Sequence, residues 1–188
     1  MKVISGTLKS RIILTPNNYI VRPTSNKARE SIYNILFHRF NINEDIKKIN
    51  IIDVFAGTGS LSIEGLSRGA NSATLIEKDS SIFSLLKKNI NTLFLNKKTT
   101  LINIDLFLYN NNFFRPYDIC FIDAPYLSGL NIKALKKIYS SKWIDLNTII
   151  ICEKSLKDCA DYPENFKVIY SKKYGSSIID FLKLRSSE

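Results

Sequence analysis

From residue 49 to residue 153, short apolar runs alternate with amphipathic stretches, and this alternation limits the possible folds more than any other feature of the chain. INIIDVF (49–55), SATLIE (72–77), TTLINI (99–104), YDICFID (117–123) and LNTIIICE (146–153) each have strand length and dense β-branched or aromatic content. The first is almost continuously apolar, as a strand buried on both faces must be. Between these runs the spacing becomes helical. Ser60 to about Arg68 follows the first, Ser80 to Phe94 the second, and residues 131–142 the fourth. Strand and helix in regular succession predict an α/β domain whose mostly parallel sheet is covered by helices on both faces. FKVIYSKKY (166–174) and SSIIDFLKL (176–184), on either side of Gly175, read as an antiparallel closing pair. In such sheets ligands bind beyond the carboxyl ends of the strands, so the chemistry belongs just after each run.

The first 48 residues differ in character. KVISGTLKSRIIL (2–14) predicts two short β segments around Ser5-Gly6-Thr7, and a helix is expected from Ser25 to Phe40 with Ala28, Ile32, Ile35, Leu36 and Phe40 on its apolar face. Arg29 and Arg39 are expected to face outward. The chain thus divides into an N-terminal extension, 1–48, packed on a core, 49–188. The extension carries nine Lys/Arg against three acidic residues, within a chain of net charge +10. Abundant Ile, Asn and Lys point to AT-rich codons as one source of the excess. Even so, four of the seven Arg lie in this quarter, which favours an anionic partner, nucleic acid first.

The same composition excludes several classes. A hydrophobic fraction of 45% and a charged fraction of 23% exclude wholesale disorder. No apolar run approaches the ~18 residues of a membrane span, and the start of the chain has no signal-peptide h-region, so a cytoplasmic protein is expected. Three cysteines without a CxxC pair argue against a disulfide scaffold, and one histidine gives poor support to a metal site or a Ser-His-Asp triad.

Four strand ends carry candidate chemistry. After the first come Asp53, Phe55, Gly57, Thr58 and Gly59, a glycine turn at a helix start that admits close backbone approach of a ligand. A full G-x-G-x-x-G is absent because position 62 is Ser. Glu77 ends the second strand, at a spacing suited to ribose hydroxyls, or else is a surface carboxylate beside Lys78. Asp105, followed by Leu106, either accepts from an adenine amino group or caps a following helix, and one residue can do both. Asp123-Ala124-Pro125-Tyr126 follows the fourth run. A carboxylate, a backbone carbonyl stiffened by proline, and an aromatic face are what a planar exocyclic amine needs for orientation and stacking.

FAGTGS with a strand-end Glu and a later D-x-P-Y resembles the Rossmann-like S-adenosylmethionine-dependent amino-methyltransferases. Arg22-Pro23-Thr24 with Lys27-Ala28-Arg29-Glu30 narrows the resemblance to the bacterial 16S ribosomal RNA guanine-N2 methyltransferases. It implies a seven-stranded, mostly parallel sheet with an antiparallel final strand, and S-adenosylmethionine as cofactor. Asp53, Phe55, Gly57, Thr58, Gly59, Glu77, Asp105 and Leu106 would bind it. Asp123, the Ala124 carbonyl, Pro125 and Tyr126 would hold the guanine amine, and Arg11, Arg22, Thr24, Lys27 and Arg29 would meet RNA. The family has Asp-Pro-Pro-Phe or Asp-Pro-Pro-Tyr, whereas here the second position is Ala124, which keeps the carbonyl and loses a rigidifying ring. The implied partner is 16S rRNA within the 30S subunit, for a monomer that needs no membrane or metal. Two other readings stay open: an amine methyltransferase acting on adenine N6 or protein Gln, and a non-catalytic ribosome-assembly protein on the same fold.

Overall fold

The run at 49–55 becomes the middle of a seven-stranded sheet. The computed structural model describes residues 1–16, 26–111, 115–124, 129–158 and 161–186. Strands β1 (Asn50–Asp53), β2 (Ser72–Ile76), β3 (Thr99–Ile102), β4 (Ile119–Ile122), β5 (Ile149–Ser155), β6 (Phe166–Tyr174) and β7 (Ser177–Leu184) lie in the order β3-β2-β1-β4-β5-β7-β6. β1 to β5 are mutually parallel, and β7 enters antiparallel between β5 and β6. Strand order reverses between β1 and β4, which opens a crevice at their carboxyl ends.

Four helices, α1 (Asn26–His38), α2 (Ser60–Ser67), α3 (Ser80–Thr92) and α4 (Leu130–Ser140), flank the sheet. Successive residues of β1, Ile51 and Ile52, enter opposite cores. Leu36 of α1, Ile63 of α2 and Leu86 of α3 fill one, and Leu135 of α4 with Trp143 fills the other. Each fully buried Leu or Ile contributes ~1.5–3 kcal/mol relative to exposure. Among the described residues no helix is long and apolar enough to cross a membrane. Cys120 and Cys152 are both buried, and burial pushes the Cys152 thiol up to about 12.

The N-terminal extension departs from expectation in two ways. The predicted β pair is reduced to a single bridge, Lys2 to Ile12, because residues 5–10 turn onto α2 instead. Thr7 N–H donates to the Ser67 carbonyl at 2.8 Å, and Leu8 N–H to Ser67 Oγ at 2.9 Å. A Cβ on Gly6 would stand 1.9 Å from the Ser67 carbonyl oxygen, so only glycine allows this approach.

Arg29 is the second correction. It does not face outward to meet RNA; it is fully buried, with Nε 3.7 Å from Glu64 of α2. Its Nη2 donates to the Lys2 carbonyl and, at 3.1 Å, to Asn26 Oδ1. Glu64 also accepts from Arg68 Nε at 2.8 Å and from the amides of Ile4 and Ser5 at 2.8 and 3.0 Å. A buried carboxylate satisfied on every side thus fastens the extension and α1 to the core.

Candidate active site

The turn after β1 sits where the sheet order reverses. Gly59 has φ +80° just before α2, and a Cβ there would lie 2.5 Å from Leu86 Cδ1. Glycine at this position lets the start of α2 pack close to α3, and to β2 where Leu75 Cδ2 would lie 3.2 Å away. At Gly57 an added Cβ would meet nothing within 4 Å, so space beside this backbone is open. Its N–H donates to Glu77 Oε2 at 2.9 Å, and Glu77 Oε1 accepts from Asp79 N–H at 2.8 Å. Glu77 follows the last residue of β2 and is fixed in place, while each oxygen keeps acceptor capacity. Thr58 is buried and Phe55 packs partly into the second core.

Asp53, at the tip of β1, is 2% exposed. Its Oδ2 accepts from Ser62 Oγ at 3.1 Å, while Oδ1 has no hydrogen-bond partner among the described residues. Burial raises its pKa to about 7, against the pull of the Ser62 hydroxyl and, more weakly, of the nearby Phe55 amide, and the charges of Asp123 and Glu77 add to the rise. The tips of β1, β2 and β4 therefore bring Asp53, Glu77 and Asp123 into one electrostatic group. It is an acidic locus in a chain of net charge +10. Among the described residues no cluster of His, Cys, Asp or Glu could hold a metal ion.

Asp105 ends as a cap: Oδ1 accepts from Phe107 N–H at 3.0 Å and starts a 3-10 turn, Leu106–Leu108. Leu106 is buried beneath it. Asp79 is also a cap, accepting from the amides of Ser81 and Ile82 at the start of α3. Ala124, after β4, is 3% exposed. Arg11 and Lys27 are exposed. Arg22, Thr24, Pro125 and Tyr126 lie outside the described residues.

Two residues important to the site escaped sequence reading. Asn89 of α3 accepts from Leu14 N–H at 2.8 Å and donates to the carbonyls of Leu14 and Thr58 at 3.0 and 3.1 Å. It ties the N-terminal extension to the glycine turn. The only sequence signal is a polar residue between helical apolar positions, Leu86 and Ile90. Gly65 is the other: a Cβ there would lie 2.5 Å from both Ile51 Cδ1 and Tyr33 Oη, so it admits α1 against α2.

The open glycine turn and the unpartnered Asp53 oxygen suit a cationic ligand with a nucleoside, S-adenosylmethionine included. The amine and sulfonium of such a ligand favour an acidic site, and Glu77 has acceptors for hydroxyls.

Comparison with known proteins shows the family and the fold. Residues 1–183 match the family described as Conserved hypothetical protein 95. The ribosomal RNA small subunit methyltransferase D of Buchnera aphidicola subsp. Acyrthosiphon pisum is 36% identical over 191 residues, covering 98% of this chain and 93% of that protein. A solved structure, "Putative methyltransferase yhhF from Escherichia coli", superposes with TM-score 0.83 at 25% identity, covering 100% of this chain and 99% of that one. M. jannaschii TYW2, solved in complex with AdoMet, shares the fold at TM-score 0.56 and 16% identity, over 78% of this chain and 76% of that one. The chain belongs to the Conserved hypothetical protein 95 family, together with the ribosomal RNA small subunit methyltransferases D.

Proposed function

We propose that this protein transfers a methyl group from S-adenosylmethionine to the exocyclic N2 amine of a guanine in 16S ribosomal RNA. The observation that carries the reading is the grouping of Asp53, Glu77 and Asp123 around an open glycine turn at the point where strand order reverses. Family membership supports the reaction class. The cofactor supplies an electrophilic methyl on a sulfonium.

The chain's own residues bind and orient. Glu77, held by the Gly57 amide, accepts from ribose hydroxyls, and Asp53 answers the positive end of the cofactor. Leu106 packs beside the adenine, with Asp105 at its edge. Asp123 and the Ala124 carbonyl accept hydrogen bonds from the guanine amine. That orientation aims the nitrogen lone pair and stabilises positive charge developing there. The base must leave its stack to be reached, and Tyr126 offers it a stacking face. The exposed cations Arg11 and Lys27 bind RNA in the cytoplasm, where the small subunit is assembled, and the same role is assigned to Arg22 and Thr24 from the sequence alone. Arg29 belongs to the structure that supports this surface.

Small ribosomal subunits lacking the modification, incubated with radiolabelled S-adenosylmethionine and digested to nucleosides, test the proposal. Label in N2-methylguanosine is the expected result. Label in N6-methyladenosine would move the target. Cofactor binding without label in any nucleoside would overturn the rRNA assignment.

A further inference from the structure

An open groove of about 810 Å³ lies between α1 and the edge strand β6, away from the glycine turn. One stripe of α1, Ser31, Asn34 and His38, forms one wall together with Arg39 just beyond the helix. Tyr170 and Lys172 form the other. None of the lining residues is acidic. Alternate residues of β6, Tyr170, Lys172 and Tyr174, share the face turned to the helix, where Ser31 is hydrogen-bonded to the Tyr174 hydroxyl. The Arg39 guanidinium lies 4.4 Å over the Tyr170 ring, and Lys172 Nζ lies 5.5 Å from the centre of Tyr174. Among the described residues neither cation has a carboxylate within ion-pairing distance. Stacking on a ring fixes a guanidinium in place and leaves its N–H edge available for phosphate.

The groove is oriented towards the site. β6 is antiparallel to β7, which is antiparallel to β5, so β6 runs in the direction of β4. Its last residue, Tyr174, therefore points to the same end of the sheet as Asp123. Three strand spacings separate β6 from β4, roughly 14 Å. A short stretch of single strand bridges that distance, within the ~4–16 nucleotides that a single-strand-binding fold holds.

We propose that this groove is a track for the phosphodiester backbone of the substrate RNA flanking the target nucleotide, with Arg39 and Lys172 as phosphate contacts. The proposal rests on the RNA-methylation reading and adds a contact surface separate from the expected RNA-binding residues near the cofactor mouth.

The test compares Arg39→Ala/Lys172→Ala with the parent chain for binding to unmodified 16S rRNA and to unmodified small subunits across a salt series. The expected result is affinity weaker by about tenfold or more. The log K against log salt slope should be shallower by ~1.4, about 0.7 for each lost single-strand phosphate contact. S-adenosylmethionine affinity and melting temperature should match the parent. The charge-conserving R39K/K172R should bind like the parent. Should the double variant fold poorly, Lys172→Glu on the exposed strand gives the same readout with a slope change of ~0.7 or more. A folded variant with parental affinity and slope overturns the track. So does a variant that binds naked rRNA normally and loses only the assembled subunit, which would assign the groove to a protein. If the parent itself neither binds nor methylates rRNA, the underlying reading fails, and the two failures remain distinct.

Discussion

Helix α2 stands between two groups of buried charge that are treated in opposite ways. On one side Glu64, fully buried, accepts from Arg68 and two backbone amides and is ion-paired with Arg29 across 3.7 Å, without a hydrogen bond from its Nε. On the other, Asp53 receives one hydroxyl and leaves an oxygen without a partner among the described residues, near the carboxylates of Glu77 and Asp123. The same residue class is completed where it holds the fold and left incomplete where a ligand belongs. A buried acid with a full set of partners is a fastening. A buried acid with a spare acceptor beside an open glycine turn is a binding group.

The largest expected effect tests the fastening. Glu64→Gln leaves Arg29 buried opposite a neutral group and should cost about 3–5 kcal/mol in denaturant unfolding. A loss below about 1 kcal/mol would mean that the network is not what holds the extension. Next comes the open side. Asp123→Ala should lower turnover by ~10²–10³, or about 2.7–4 kcal/mol of barrier, with cofactor affinity kept, as single-turnover and binding assays would report. Parental turnover would remove Asp123 from the chemistry.

Asp53 sharpens the contrast through pH. Its carboxyl ionises at its ordinary value of 3.8 in the unfolded chain and near 7 in the folded one, so the folded protein binds more protons between these values. Stability should therefore fall as pH rises from about 4 to about 7, with a contribution of up to ~1.4 kcal/mol per pH unit, and level off above. Asp53→Asn should remove this component from unfolding curves collected across the range. The smallest effect concerns Asp79, the acid beside Glu77 that works only as a cap. Asp79→Ala should lower the melting temperature slightly through loss of the cap on α3, and titration calorimetry should find cofactor affinity unchanged.

Much of this architecture was legible because strand and helix patterns differ in period. The runs at 49–55 and 117–123 lie within two residues of β1 and β4 at each end, and their acids Asp53 and Asp123 fall at the strand tips. Arg29 is expected outside because its positive charge argues for exposure. Its position says otherwise, since Arg29, Ile32, Tyr33 and Leu36 share one helical face, all buried. Glu64, the one charged residue of α2, was the available sign of its partner. The reduced N-terminal pairing was not legible, because Gly6 serves a contact with Ser67, 61 positions away in the sequence and adjacent only in the fold. The state of Asp53 was also hidden, since it depends on burial and on two other strand tips.

The position of β7 between β5 and β6 has a consequence for biosynthesis. A ribosome makes β6 before the strand on which β6 pairs, so during elongation nine residues from Phe166 to Tyr174 wait without a ladder partner while β5 keeps one edge open. Both are satisfied in one event when Ser177–Leu184 emerges. The nascent protein thus cannot complete its sheet by stepwise addition, and its half-built edge depends on the lysines of β6, Lys167, Lys172 and Lys173, to discourage pairing with other chains.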